Sequence, residues 1–301
     1  MSVTVSGLTK VYDEQRAVDD ITFEVKPGDV LGFLGPNGAG KSTTMKIITG
    51  FIPPTEGKAS VCGFDVETNS LDAKKNIGYL PENNPLYSDM YVKEFLLFTG
   101  KLNQVKNLSA RVKEMITLVG LEEEKHKKIG SLSKGYRQRV GLGQALLHDP
   151  PVLIMDEPTS GLDPNQLVGM RQLIKDLGKE KTVILSTHIM QEVQSICNRV
   201  IIINKGKIVA DDTVEKLQSR NSEEVVIRVT FKNPISKNLF QQIKGVMRIE
   251  DVDTATYRIH SSFNNEEDIF RFAVESKNII TSMQHEVAGL EDVFRELTNE
   301  K

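Results

Sequence analysis

VLGFLGPNGAGKSTTMKIITG, residues 30–50, decides the fold. VLGFL reads as a short buried strand, GPNGAGKS (35–42) as a glycine-rich loop of the form G-x-x-x-x-G-K-[ST], and KSTTMKIITG as a helix. Strand, loop and helix in that order are the context a phosphate-binding loop requires, and they point to an α/β nucleoside triphosphatase core. Gly35, Gly38 and Gly40 are expected to let the backbone wrap a phosphate with its N–H groups turned inward, where side chains would block the approach. Pro36, Asn37 and Ala39 complete the loop. The helix start adds about half a positive charge and Lys41 a whole one, so Lys41 is expected to dominate at the β and γ phosphates. Ser42 is placed to ligate Mg²⁺ and Thr43 to bond a phosphate oxygen. The loop alone leaves transporter, kinase and GTPase open.

Downstream, VLIMDEP (152–158) is an apolar strand ending in two carboxylates, and open α/β sheets gather ligands at that carboxyl edge. Asp156 is expected to hold Mg²⁺ through its water shell, and Glu157 to polarise the attacking water. Successive strand residues face opposite ways, so the pair divides this labour only if the strand ends there and turns, which Pro158 encourages. No N-K-x-D base-reading motif of a GTPase is present.

Around this centre the chain has 301 residues with 39% hydrophobic content, enough for two domains. Short strands (TVSGLTKVY, DITFEVK, KASVCGF, NIGYLPE, TVILSTH, RVIIINKGKIV) surround a mostly helical insertion over about 85–150. The first domain is expected over 1–217. A second unit over 218–301 alternates in the order βαββαβ with a closing helix LEDVFRELTNE, which suits a small ferredoxin-like α+β domain. A net charge of −3 gives no footprint for nucleic acid. Two cysteines, Cys62 and Cys197, make no disulfide framework, and MSVTVSGLTK lacks the order of a signal peptide, so a cytosolic setting is expected. The apolar runs fall short of the ~18–20 residues a membrane helix needs. If this protein serves a membrane, another polypeptide crosses it.

LSKGYRQRVGLGQALLHDPPVLIMDEPTSGLD, read with GPNGAGKST, resembles the ATP-binding cassette (ABC) ATPases over roughly residues 1–215. The family's signature is LSGGQ. Here Leu132, Ser133 and Gly135 keep the pattern, while Lys134 and Tyr136 replace a glycine and the glutamine; Lys134 is expected to point to solvent. The resemblance implies that the signature of one subunit closes over the γ phosphate held by another, with two ATP molecules sandwiched in a dimer. It further implies that Tyr12 stacks on adenine, that His188 contacts the γ phosphate, and that Asp163 lies in the loop linking the two sites. Glu82 stands where the family has its lid glutamine, as a further metal or water ligand. Residues 85–91 would line the groove that receives a short helix of a separate membrane permease subunit. YLPENNPLY, LSKGYRQR and LEDVFRELT are closest to cassettes of exporters, including the gliding-motility type. The implied function is an ATPase, with ATP and Mg²⁺, that powers export from the cytoplasmic face of a membrane. The rival reading is a soluble ABC-type ATPase acting on ribosome or DNA without transport.

Overall fold

The computed structural model describes residues 1–219, 225–286 and 290–298. β1 (Val3–Tyr12) and β2 (Gln15–Val25) form an antiparallel hairpin whose tip carries Tyr12. β3 (Val30–Leu34) is buried along its whole length; the loop after it opens α1 (Lys41–Ile48). β4 (Glu56–Val61) and β5 (Phe64–Asp65) extend the first sheet to the order β2-β1-β4-β5. α2 (Ser70–Lys75) and β6 (Ile77–Leu80) follow. The helical insertion consists of α3 (Val92–Leu102), α4 (Leu108–Leu118), a 3-10 turn at Ile129–Ser131 and α5 (Lys134–Leu146). The chain then returns through β7 (Val152–Asp156), α6 (Pro164–Leu177), β8 (Thr182–Thr187), α7 (Met190–Ile196), β9 (Arg199–Asn204) and β10 (Lys207–Thr213).

The second sheet runs β10-β9-β3-β8-β7-β6, with only β10 antiparallel to its neighbour. β3, β7 and β8 read as unbroken apolar or small runs because parallel central strands are covered on both faces. Met45, Ile47 and Ile48 of α1 pack in one core with Val5 and Phe23 of the first sheet and Phe33, Ile154 and Ile184 of the second. That core fixes the start of α1 against the strand ends.

Strand register then places the chemistry. Leu34 pairs with Thr187, and Asp156 pairs with Ser186. Gly35 therefore leaves β3 level with His188 after β8, and Glu157 leaves the adjacent β7 one residue lower.

The chain divides into two compact units, Met1–Val214 and Glu215–Lys301, within α8 (Val214–Ser219). The polar connector expected over 218–224 lies mostly outside the described residues. The second unit contains β11 (Val225–Phe231), a 3-10 turn at Lys237–Gln242, β12 (Val246–Asp253), β13 (Thr256–Ser261), α9 (Glu266–Glu275), β14 (Ile280–Glu286) and α10 (Leu290–Thr298). Its antiparallel order is β12-β13-β11-β14, so β13 splits β11 from β12 and β11 splits β13 from β14, a split-βαβ arrangement. The helix expected over 236–244 is only a 3-10 turn. Phe240 and Ile243, three residues apart, are both buried, and a three-residue turn aligns such a pair on one side. The final residues of the expected closing helix, 299 and 300, lie outside the described residues. Among the described residues, no helix is long and apolar enough to cross a membrane.

Candidate nucleotide site

The phosphate-binding loop is shaped by the protein around it as much as by glycine freedom. Gly38 has φ +78° with open space where a side chain would start, as the motif predicts. At Gly40, φ +108°, a Cβ would collide with the Ala17 carbonyl, and at Gly35 it would meet Ile203 O. Gly35 and Gly40 are thus also required by the neighbouring strands, apart from any approach of phosphate. The Ala39 N–H closes the turn on Pro36 O at 3.2 Å.

Lys41 is only 6% exposed. Its Nζ donates to Gly35 O at 2.7 Å and Pro36 O at 3.2 Å, and stands 3.6 Å from Glu157 Oε1. Burial holds its pKa below the ordinary lysine value, against the opposing pull of Glu157 and Asp156. Ser42 Oγ donates to Asp156 Oδ1 at 3.0 Å, and Ser186 Oγ donates to the same oxygen at 2.5 Å. A hydroxyl and a carboxylate this close form a hard-oxygen donor set that suits Mg²⁺, with water completing the shell.

Glu157 resolves the problem of the pleat. Its φ of +49° lies in the left-handed region, which a non-glycine residue occupies only at a cost. The turn is held by its own N–H, which donates to Ser186 Oγ at 3.0 Å. The turn brings the Glu157 carboxylate into the cleft beside Lys41. His188 Nδ1 is 2.9 Å from Glu157 Oε2, the distance of an N–H donating to a carboxylate.

Lys41, Ser42, Glu157 and His188 line a cleft of about 590 Å³ together with Tyr12, Asn37, Thr43 and Glu82. Tyr12 is 44% exposed, so it is not a buried strand tyrosine, and Lys10 Nζ lies 5.3 Å from its ring centre. Glu82 is exposed, and its carbonyl accepts from Gln138 Nε2 at 3.4 Å. Gln15, Ala17 and Ser160 also line the cleft, although no motif marked them. Their signal is position alone, on the hairpin after Tyr12 and in the loop after Glu157.

Leu132, Ser133, Lys134, Gly135 and Tyr136 are absent from the lining of this cleft. Leu132 is buried, and Ser133 caps α5 by accepting from the Tyr136 N–H at 3.4 Å. Lys134 is exposed, as expected, and lies across Gly161. Asp163 is the N-cap of α6, accepting from the N–H groups of Asn165 at 3.1 Å and Gln166 at 3.0 Å.

A buried carboxylate unmarked by any motif organises the cleft from behind. Glu192 is 0% exposed. It accepts from Thr159 Oγ1 and, at 2.7 Å, from Thr187 Oγ1, with Arg171 Nη2 at 3.9 Å. Thr159 follows Glu157 by two residues and Thr187 precedes His188, so one carboxylate ties together the segments that deliver both. Glu192→Ala is expected to cost about 3 kcal/mol of folding stability, because it strands two hydroxyls and a guanidinium. Urea unfolding checks it: a loss below about 1 kcal/mol would remove Glu192 from this role.

A family model described as "ABC transporter" matches residues 18–160. The bacitracin transport ATP-binding protein BcrA of Bacillus licheniformis is 33% identical, covering 98% of this chain and 96% of that protein. The linearmycin resistance ATP-binding protein LnrL of Bacillus subtilis is 33% identical, covering 97% and 96%. Among solved structures, the ATP-binding cassette MJ0796 in a dimeric post-hydrolysis state with ADP and Pi superposes with a TM-score of 0.64, at 25% identity, over 70% of this chain and 98% of that one. The chain belongs to the ABC transporter family, as an ATP-binding and ATP-hydrolysing cassette.

Proposed function

We propose that two copies of this chain close around two ATP molecules and thereby drive a pair of membrane-spanning subunits through an export cycle. One observation carries the reading: the cleft has every hydrolytic group on its own chain, yet the signature segment of that chain faces elsewhere. A nucleotide in the cleft lacks the Ser133 and Gly135 contacts unless a second molecule supplies them. Relatives named for bacitracin transport, linearmycin resistance and Nod factor export support the transport reading over a ribosome- or DNA-acting ATPase. The chain then works at the cytoplasmic face of a membrane. Residues 85–91 are the docking surface for the membrane subunit, and 218–301 is an accessory domain.

In hydrolysis, Glu157 accepts a proton from the attacking water as oxygen approaches the γ phosphorus, and His188 orients Glu157 and the phosphate. Lys41 and the main-chain N–H groups at the start of α1 stabilise charge on the departing ADP. Ser42 and Asp156, with Glu82 nearby, would hold Mg²⁺, which would supply neutralisation of phosphate charge when bound. Asp163 links the paired sites through its loop. Product lacks the γ phosphate that the partner's signature grips, so the dimer opens.

Tyr12 lies at the adenine end of this arrangement. Tyr12→Ala is expected to weaken nucleotide binding by about 1–3 kcal/mol, the range for a base stacked on an aromatic ring. Titration with ATP and with inorganic triphosphate checks it, since only ATP should lose affinity. For the transport reading, the chain is purified from membranes of its own source: capture of an integral membrane subunit supports it, and capture of ribosomal proteins or DNA supports the rival.

A further inference from the structure

Gln166, one turn into α6, reaches 33 positions back along the chain: its Nε2 donates to Ser133 Oγ at 3.0 Å. The same oxygen accepts from the Tyr136 N–H at 3.4 Å. A serine hydroxyl has two acceptor lone pairs and one O–H. With both lone pairs directed at N–H donors, the O–H is left to point away from the protein. Ser133 is exposed there, at the N-terminus of α5, a helix of 13 residues whose dipole attracts an anion. The oxygen becomes a fixed outward donor instead of a free rotor.

Gln166 is itself held on two sides. Its main-chain N–H donates to the capping carboxylate of Asp163 at 3.0 Å, and its side-chain amide lies over Gly135, where any Cβ would collide with it. Glycine at 135 thus has a role inside the chain: it makes room for the amide that reaches Ser133. The Lys134 side chain also lies against Gly161, in the loop that precedes α6.

We propose that Gln166 is a positioning residue that aims the Ser133 hydroxyl at the γ phosphate held by the other subunit. The inference rests on the two-chain site proposed above. Gln166 touches no nucleotide on its own chain, being absent from the cleft lining. Its effect is therefore confined to the contact made across the dimer. Because Gln166 shares a cap with Asp163, the loop after Glu157 and the signature segment are presented to the partner as one body.

The test is a double-mutant cycle in the full chain with Ser133→Ala and Gln166→Leu, which keeps apolar bulk over Gly135 but removes the donor. Steady-state ATPase rate and ATP-driven dimerisation in a Glu157→Gln background are read together. Each single variant is expected to lose roughly ten- to a hundredfold, the scale of one hydrogen bond to a charged group. The double variant is expected to lose no more than Ser133→Ala alone, because Gln166 acts only through that hydroxyl. ADP affinity and melting temperature are measured on the same samples. Gln166→Glu keeps the size but offers only acceptors, which draws the O–H inward, and should lose at least as much as the leucine variant.

Wild-type rates in Gln166→Leu and Gln166→Glu overturn the proposal, as does a double variant whose loss is the product of the two singles. Those results leave the shared site standing if Ser133→Ala is still impaired. A silent Ser133→Ala overturns both the shared site and this role.

Discussion

Glu157→Gln is expected to lower ATP turnover by about 10²–10⁴-fold, the usual range for losing a general base, while MgATP stays bound and the protein accumulates as a dimer. The amide is nearly the same size as the carboxylate, so it leaves the turn at Glu157 and the Ser186 contact to its N–H intact. It removes the oxygen that would take the proton from water, and it neutralises the charge 3.6 Å from Lys41 Nζ. Lys41 is then drawn undivided toward phosphate, so the closed state forms but does not pass on to product. Size-exclusion of the variant with and without MgATP reads the accumulation, and phosphate release reads the rate. A monomer at saturating ATP, or turnover within about threefold of wild type, would count against the assignment, being far above the range for a lost base.

The second large effect falls on Lys41. Lys41→Ala is expected to weaken ATP by about 10²-fold or more, in line with the 2–5 kcal/mol that truncating one partner of a buried charge pair costs. The site also predicts a pH response. Only the ammonium form attracts phosphate, and burial holds the Lys41 pKa below its ordinary value. Nucleotide affinity is therefore fully present below that lowered pKa and is lost as pH rises through it, earlier than for a lysine in water. Binding titrations from neutral to alkaline pH check the sign. An affinity for Lys41→Ala close to wild type would show that the loop over residues 35–42 does not hold the phosphates.

The catalytic groups were legible because each sits at a fixed offset within a short segment. Lys41 and Ser42 follow the glycines of one loop, and Asp156 and Glu157 end one strand, so local order sufficed. The packing that makes those groups work was not legible in the same way. Ser186, within a strand that reads as plainly buried, supplies the hydroxyl that holds both Asp156 and the Glu157 turn. Glu192 looks like an ordinary surface acid of a short helix, yet it is 0% exposed. Its partners, Thr159 and Thr187, come from two separate strand ends that only the sheet order brings together. Gln166 belongs to no motif, because its partner Ser133 lies on another helix. In the second unit, the apolar spacing over 236–244 suggested a helix, and the burial of Phe240 and Ile243 selected a tighter turn. Asp163 was read through a family loop; the structure adds that its carboxylate also starts α6.

The central claim is that each ATP is completed by loops from two molecules, and mixed dimers test it most directly. Ser133→Ala in one subunit and Lys41→Ala in the other leaves one composite site whole, so the mixture should retain hydrolysis. Both substitutions in the same subunit, paired with wild type, damage both sites, so that mixture should be nearly inactive. The reverse pattern, with activity kept only when both substitutions share a subunit, would mean that each chain completes its own nucleotide site.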